Sequence, residues 1–92
     1  MKLNIFGLDY KLLKVNELET GGVANLNYQT RTMKVLKTMK GQRYDECVIH
    51  EMVHAVFDRI GVGSTKLHPD FEEIICDSVA KVVSENFKLV PR

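Results

Sequence analysis

His50, Glu51 and His54 belong to an H-E-x-x-H pentapeptide, His50-Glu51-Met52-Val53-His54, within a stretch patterned as helix. Residues four apart on a helix lie one above the other on one face. Two imidazoles in that relation reach a single metal ion, and the Glu between them projects beside it. A catalytic zinc requires a few fixed protein ligands, an open position for water and a carboxylate that takes the water's proton. The pentapeptide supplies two ligands and the base together. The plain alternative is a pair of ordinary helix histidines.

A third protein ligand is required, and the C-terminal part of the chain offers one. Glu73 opens an E-x-x-x-D pattern, Glu73-Ile74-Ile75-Cys76-Asp77, nineteen residues after His54. At that spacing Glu73 and Asp77 share a helix face, at the border between an apolar stripe and a charged side. A carboxylate there is partly desolvated, and a cation would compensate it. Asp77 is then placed to accept a hydrogen bond from the far nitrogen of a metal-bound histidine. Without a metal, Glu72 and Glu73 read as first-turn acids that complement the helix dipole. Other ligands stay open. His68 stands before the second helix and could reach the metal or an oxyanion, although a His there also reads as a cap. Cys47 lies one turn before His50, and Cys76 precedes Asp77, but both also suit small buried positions. Three and six residues after His54 stand Phe57 and Ile60, which excludes the metzincin pattern.

The elements that must carry these residues follow from periodicity. Residues 2–6 and 10–15 are apolar-rich runs, and Gly7-Leu8-Asp9 between them suits a tight hairpin. After Gly21-Gly22, residues 23–28 and 32–37 read as a second pair joined by Gln29-Thr30-Arg31. Met33 and Val35 alternate with Thr32 and Lys34, the period of a half-buried strand. Gly41 closes the β half. A helix is expected over about residues 43–60, with Asp45 and Glu46 in its first turn. Its apolar side is Tyr44, Val48, Met52, Ala55, Val56 and Ile60, and Gly61-Val62-Gly63-Ser64 stops it. A second helix starts at Pro69 and runs to about residue 87. Its buried stripe is expected to be Phe71, Ile75, Val79, Val82 and Val83.

Ninety-two residues suffice for one small domain, residues 1–92, with a single core. The hydrophobic fraction of 45 % argues against disorder, and the absence of Trp makes the core mainly aliphatic. A bound metal would therefore matter for stability as well as chemistry. Two cysteines without a C-x-x-C pairing do not make a disulfide framework. No signal-peptide core and no membrane-length apolar run is present, so a soluble, cytoplasmic protein is expected. The net charge of +1 conceals an asymmetry. Residues 1–43 carry eight basic and three acidic side chains, and residues 44–92 five and nine. The basic run through Arg31, Lys34, Lys37, Lys40 and Arg43 reads as a solvated face. It lacks the interleaved aromatics that stack bases, so nucleic acid is not the expected partner.

The start MKLNIFGLDYKLLKV, the strand RTMKVLK, the helix YDECVIHEMVHAVFDRIG and the terminal helix FEEIICDSVAKVVSENF together resemble a known group. They are similar to small phage- and prophage-type zinc metallopeptidases related to the ImmA/IrrE family. The resemblance covers nearly the whole chain, and its specific parts are the H-E-x-x-H and the downstream Glu. It implies an α+β, minimal zincin-like fold: a small antiparallel or mixed sheet packed on the H-E-x-x-H helix and a C-terminal helix. It also implies zinc held by His50, His54 and Glu73, with Glu51 as base and a regulatory protein or peptide of a mobile element as substrate.

Zinc on two His and one Glu keeps a position for water, and Glu51 would take the water's proton during attack on a peptide carbonyl. His68 or Tyr28 could add a donor for the oxyanion. The strand over residues 32–37 could serve as an edge for an extended substrate, its lysines favouring acidic neighbours. The rival expectation is a non-catalytic zinc-binding structural or interaction module. Such sites usually close all four positions with protein ligands and need no base, which makes Glu51 the discriminating residue.

Overall fold

In a computed structural model, which describes residues 1–61 and 67–90, the chain is α+β: a four-stranded mixed sheet and two helices. The strands are β1 (Lys2–Ile5), β2 (Leu8–Val15), β3 (Ala24–Asn27) and β4 (Thr32–Leu36). The helices are α1 (Gly41–Ile60) and α2 (Pro69–Asn86). Spatial order in the sheet is β1-β2-β4-β3. Both hairpins expected from the apolar runs form, β1 with β2 and β3 with β4, each antiparallel. They join through β2 and β4, which run parallel from Lys11↔Thr32 to Val15↔Leu36. No helix among the described residues is long and apolar enough to cross a membrane.

The first turn sits one residue earlier than its glycine pattern suggests. Ile5 pairs with Leu8, so Phe6 and Gly7 alone make the loop, with φ of 50° and 80°. A two-residue hairpin needs positive φ at both central positions to match the twist of its strands, and Gly7 meets that without strain. The second turn is organised by Asn27, whose Oδ1 accepts the N–H groups of Gln29 and Thr30, both at 3.0 Å. Such short polar side chains mimic a backbone turn.

Alternation along the strands builds the core. Leu3 and Ile5 of β1, Tyr10 and Leu12 of β2, and Met33 and Val35 of β4 all face one side. Val48 and Ala55 of α1 close over them, with Tyr44, Met52 and Val56 packed at the margin. Ile60 departs from the expected apolar side of α1 and is exposed, because it belongs to the last turn, beyond the sheet. The helix begins two residues before the expected start and has no acid in its first turn. Asp45 instead lies buried in the second turn, where its Oδ2 accepts the Leu89 N–H at 3.4 Å. Gly61 ends α1 in the left-handed region, φ 77°, as expected, and its amide donates to Asp58 O. The remainder of that stop signal, Val62 to Ser64, lies outside the described residues.

Pro69 occupies the start of α2 as expected, but the buried stripe of this helix does not follow its large apolar residues. Cys76, Ala80 and Ser84 are buried, while Phe71, Ile75, Val79 and Val82 are exposed and Val83 is half-buried. The reason is the layering. Among the described elements α2 packs on α1 and on no strand, so the order is sheet, α1, α2. A helix on a helix at close range presents its small side chains at the contact, since interaxial distance depends on their size.

Phe6 is a non-glycine residue in left-handed backbone, and its side chain is largely exposed. Phe6→Asn would place the favoured Asn-Gly pair in this turn. The substitution is expected to raise stability by about 0.5–1 kcal/mol, read as a higher Tm in thermal denaturation. An unchanged or lower Tm would mean that the Phe6 ring contributes packing at least as large as the strain.

Candidate metal centre

α1 presents His50 and His54 on the face turned toward α2, and the small residues of α2 let the two helices approach closely there. The imidazole centroids are 4.8 Å apart and the rings are inclined at 63°. Each ring has its own carboxylate on the Nδ1 side. His50 Nδ1 lies 2.8 Å from Asp77 Oδ1, and His54 Nδ1 lies 2.5 Å from Glu72 Oε2. An ionised carboxylate only accepts, so each Nδ1 carries the proton and donates it. In a neutral ring that leaves Nε2 with a bare lone pair.

The two Nε2 atoms face each other at 3.1 Å. Glu73 closes the triangle: Oε1 lies 2.8 Å from His54 Nε2 and Oε2 lies 3.3 Å from His50 Nε2. Three electron-rich groups thus converge with their lone pairs inward, an arrangement that repels itself unless a proton or a cation is shared among them. With zinc–ligand distances of about 2.0–2.1 Å, tetrahedral neighbours stand about 3.3 Å apart. The observed separations are 2.8 Å from His54 Nε2 to Glu73 Oε1, 3.3 Å from His50 Nε2 to Glu73 Oε2 and 3.1 Å between the two imidazole nitrogens. The donor set therefore fits a divalent metal of the zinc class, two imidazole nitrogens and one carboxylate.

Electrostatics at the site agree with the geometry. Burial alone would lower the His54 pKa, but the hydrogen bond it donates to Glu72 and the charges of Glu51, Glu73 and Glu72 outweigh it and raise it above its ordinary value. Glu51 is buried, and burial raises its pKa. The neighbouring His54 and His50 act in the opposite direction, and Glu73 adds to the rise. Raising a carboxylate in this way brings it closer to a working proton acceptor. Glu51 also lines an open cleft of about 480 Å³, together with His50, Cys47, Arg43, Val23 and Ala24. The base candidate thus sits where the metal triangle meets a space large enough for a few residues of peptide.

Of the residues singled out in the sequence, His50, His54, Glu73, Asp77 and Glu51 come together. Glu72 is an addition that the sequence reading set aside as a first-turn acid. It is the least exposed of the three α2 carboxylates at the site, 14 % against 55 % for Glu73 and 69 % for Asp77. Each metal-facing histidine consequently has its own orienting acid, Asp77 for His50 and Glu72 for His54. The signal that could have revealed Glu72 is its register with Cys76 and Ala80, one turn apart along the face that packs on α1.

His68 is elsewhere. Its Nδ1 accepts the Asp70 N–H at 3.1 Å, which makes it the N-cap of α2, and its ring stands edge-on to Phe71. Tyr28 is exposed yet lies in the field of Glu72 and Glu51. Burial of its hydroxyl, followed by those charges, pushes its pKa to about 12, so the phenol keeps its proton as a donor. Cys76 joins His54 and Glu72 in a second converging trio. Burial and then the carboxylates of Glu72 and Glu73 push its thiol to about 12. That trio leaves out His50, and the Nε2-centred triangle is the better site.

Glu73→Ala is expected to lose most zinc affinity in competition with a chelating dye, because it removes a direct ligand. Glu72→Ala and Asp77→Ala are expected to lose roughly 10–100-fold, the usual effect of removing a histidine's orienting carboxylate. Full retention by Glu73→Ala with loss in Glu72→Ala would move the metal to the Nδ1 side of His54. No protein-family model, curated protein or solved structure matches this chain, and its site stands on its own geometry.

Proposed function

We propose that the protein is a zinc-dependent peptidase, a minimal zincin-like hydrolase related in kind to the ImmA/IrrE metallopeptidases. The observation that carries this reading is the placement of Glu51. It is buried beside the His50–His54–Glu73 triangle and faces the cleft, yet it is not one of the converging donors. A site built only to join two helices has no use for such a carboxylate.

Zinc bound at the triangle supplies a water of lowered pKa and a Lewis acid for a carbonyl. The protein's residues supply the rest. Glu51 takes the proton of the attacking water and delivers it to the leaving amine nitrogen. Asp77 and Glu72 hold the two imidazoles in the tautomer that presents Nε2. Tyr28, with its proton retained, is the donor available to the oxyanion in place of the N-capping His68.

The substrate edge differs from the one expected. β4 lies between β2 and β3 and has no free side. The edge beside the cleft belongs to β3, since Ala24 and the preceding Val23 line the same space as His50 and Glu51. An extended peptide adding to β3 would run past the metal centre by backbone hydrogen bonding. Lys34 and Lys37 of the β4 segment do not border this edge, so they give no preference for acidic neighbours in a substrate there. Arg43 is the cationic side chain among the described residues of the cleft.

A clamp is the second reading, favoured by one fact: the carboxylates that contact the imidazoles all come from α2 and both imidazoles come from α1. Glu51→Gln separates the two. The amide is nearly isosteric and no converging donor is lost, so zinc content of about one per chain and the Tm should persist. Cleavage of unstructured peptides and of partner proteins encoded nearby should fall by at least roughly a hundredfold. If zinc-loaded wild-type protein cuts none of them and Glu51→Gln keeps its cellular effect, the peptidase reading is overturned and the clamp stands.

A further inference from the structure

The outer face of α2 carries a contiguous apolar stripe on which no other described helix or strand packs, the N-capping His68 alone standing edge-on to its first residue: Phe71, Ile74, Ile75, Val79 and Val82, with Ser78 among them. Phe71 is 61 % exposed, Ile74 59 % and Val82 59 %. Together the five side chains leave on the order of 400 Å² of apolar surface open. That is about the apolar share of one side of a standard interface, roughly 800 Å² per partner and nearly three-fifths non-polar.

We propose that this face pairs with its own copy, α2 against α2, antiparallel across a two-fold axis. Two observations select a second copy as the occupant. The first is the match of side-chain sizes when the stripe is reversed about its own midpoint, between Cys76 and Asp77 in sequence. Reversed and laid on itself, it sets Phe71 opposite Val82, Ile74 opposite Val79 and Ile75 opposite Ser78. A two-fold contact uses the same patch on both partners, and this positional match is what it requires. Large side chains meet smaller ones in each pair, which is what close packing across such a contact requires. The second is charge. The same reversal brings Lys81 within a turn of the partner's Asp70, on the flank of the stripe, and opposite charges there favour this register over a parallel one.

The pairing is independent of the peptidase reading, because the stripe lies on the side of α2 away from the buried Cys76 and Ala80. Its consequence for the site is indirect. A partner on the outer face makes α2 a sandwiched helix and holds Glu72, Glu73 and Asp77 against α1.

Analytical ultracentrifugation of the full chain tests the proposal. The wild type should sediment at twice its 10.5 kDa chain mass. A single-chain mass at every accessible concentration would overturn the proposal and leave the face to another protein or another segment. Phe71→Glu, at an exposed position, should keep the far-ultraviolet circular dichroism and weaken the dimer at least tenfold in Kd. An unchanged Kd would place the interface elsewhere. Orientation is read by mixing. Ile74→Glu and Val79→Lys should each sediment as single chains, and their equimolar mixture should recover the dimer, since position 74 then meets position 79 as Glu against Lys. A mixture that stays at single-chain mass would overturn the antiparallel pairing.

Discussion

The helix pair is organised around a local electrostatic conflict. Two imidazole Nε2 atoms and both oxygens of Glu73 converge within 3.3 Å, and their Nδ1 sides are already committed to Asp77 and Glu72. Bringing such groups together out of bulk water costs free energy unless a positive charge is shared among them. The rest of the structure serves that meeting. The sheet fixes α1 through Val48 and Ala55, α1 offers its opposite face to α2, and the small residues of α2 bring the carboxylates within reach.

Much of this was legible in the chain because the relevant periods are short. Strand alternation identified Met33 and Val35 as core residues, and the i, i+4 relation put His50 over His54 and Glu73 near Asp77. Those relations are local and hold in any fold that keeps the helix. Which strand becomes an edge is not local. It depends on β2 pairing parallel with β4, a contact between segments some twenty residues apart for which neither segment carries a mark of its own. The substrate edge therefore moved from β4 to β3.

The outer helix misled for a different reason. Hydrophobic periodicity identifies the apolar face of a helix, and that face usually meets the core. In α2 the two part company: Phe71, Ile74 and Val82 point to solvent, and the contact with α1 is made by Cys76, Ala80 and Ser84. With the large residues as the inner face the helix is turned about its axis and Glu72 falls among the dipole acids, whereas in the structure it holds His54. The first turn of α1 departs from its acidic pattern on a smaller scale. The helix starts at Gly41, and Asp45 became a buried acceptor for the Leu89 amide.

The stacking of sheet, α1 and α2 has a consequence for how ligand affinity should be understood. Since α1 is the only described element that α2 packs on, the donor set exists only in the fraction of molecules in which α2 is docked there. A metal bound by both helices would therefore be taken up with an apparent affinity equal to the intrinsic one scaled by that fraction. Anything that presses α2 home, even from its far side and without touching a single donor atom, would tighten metal binding by the same factor. By reciprocity the metal would strengthen whatever presses. A chain this small would then have two sites that communicate through one helix acting as a hinged wall.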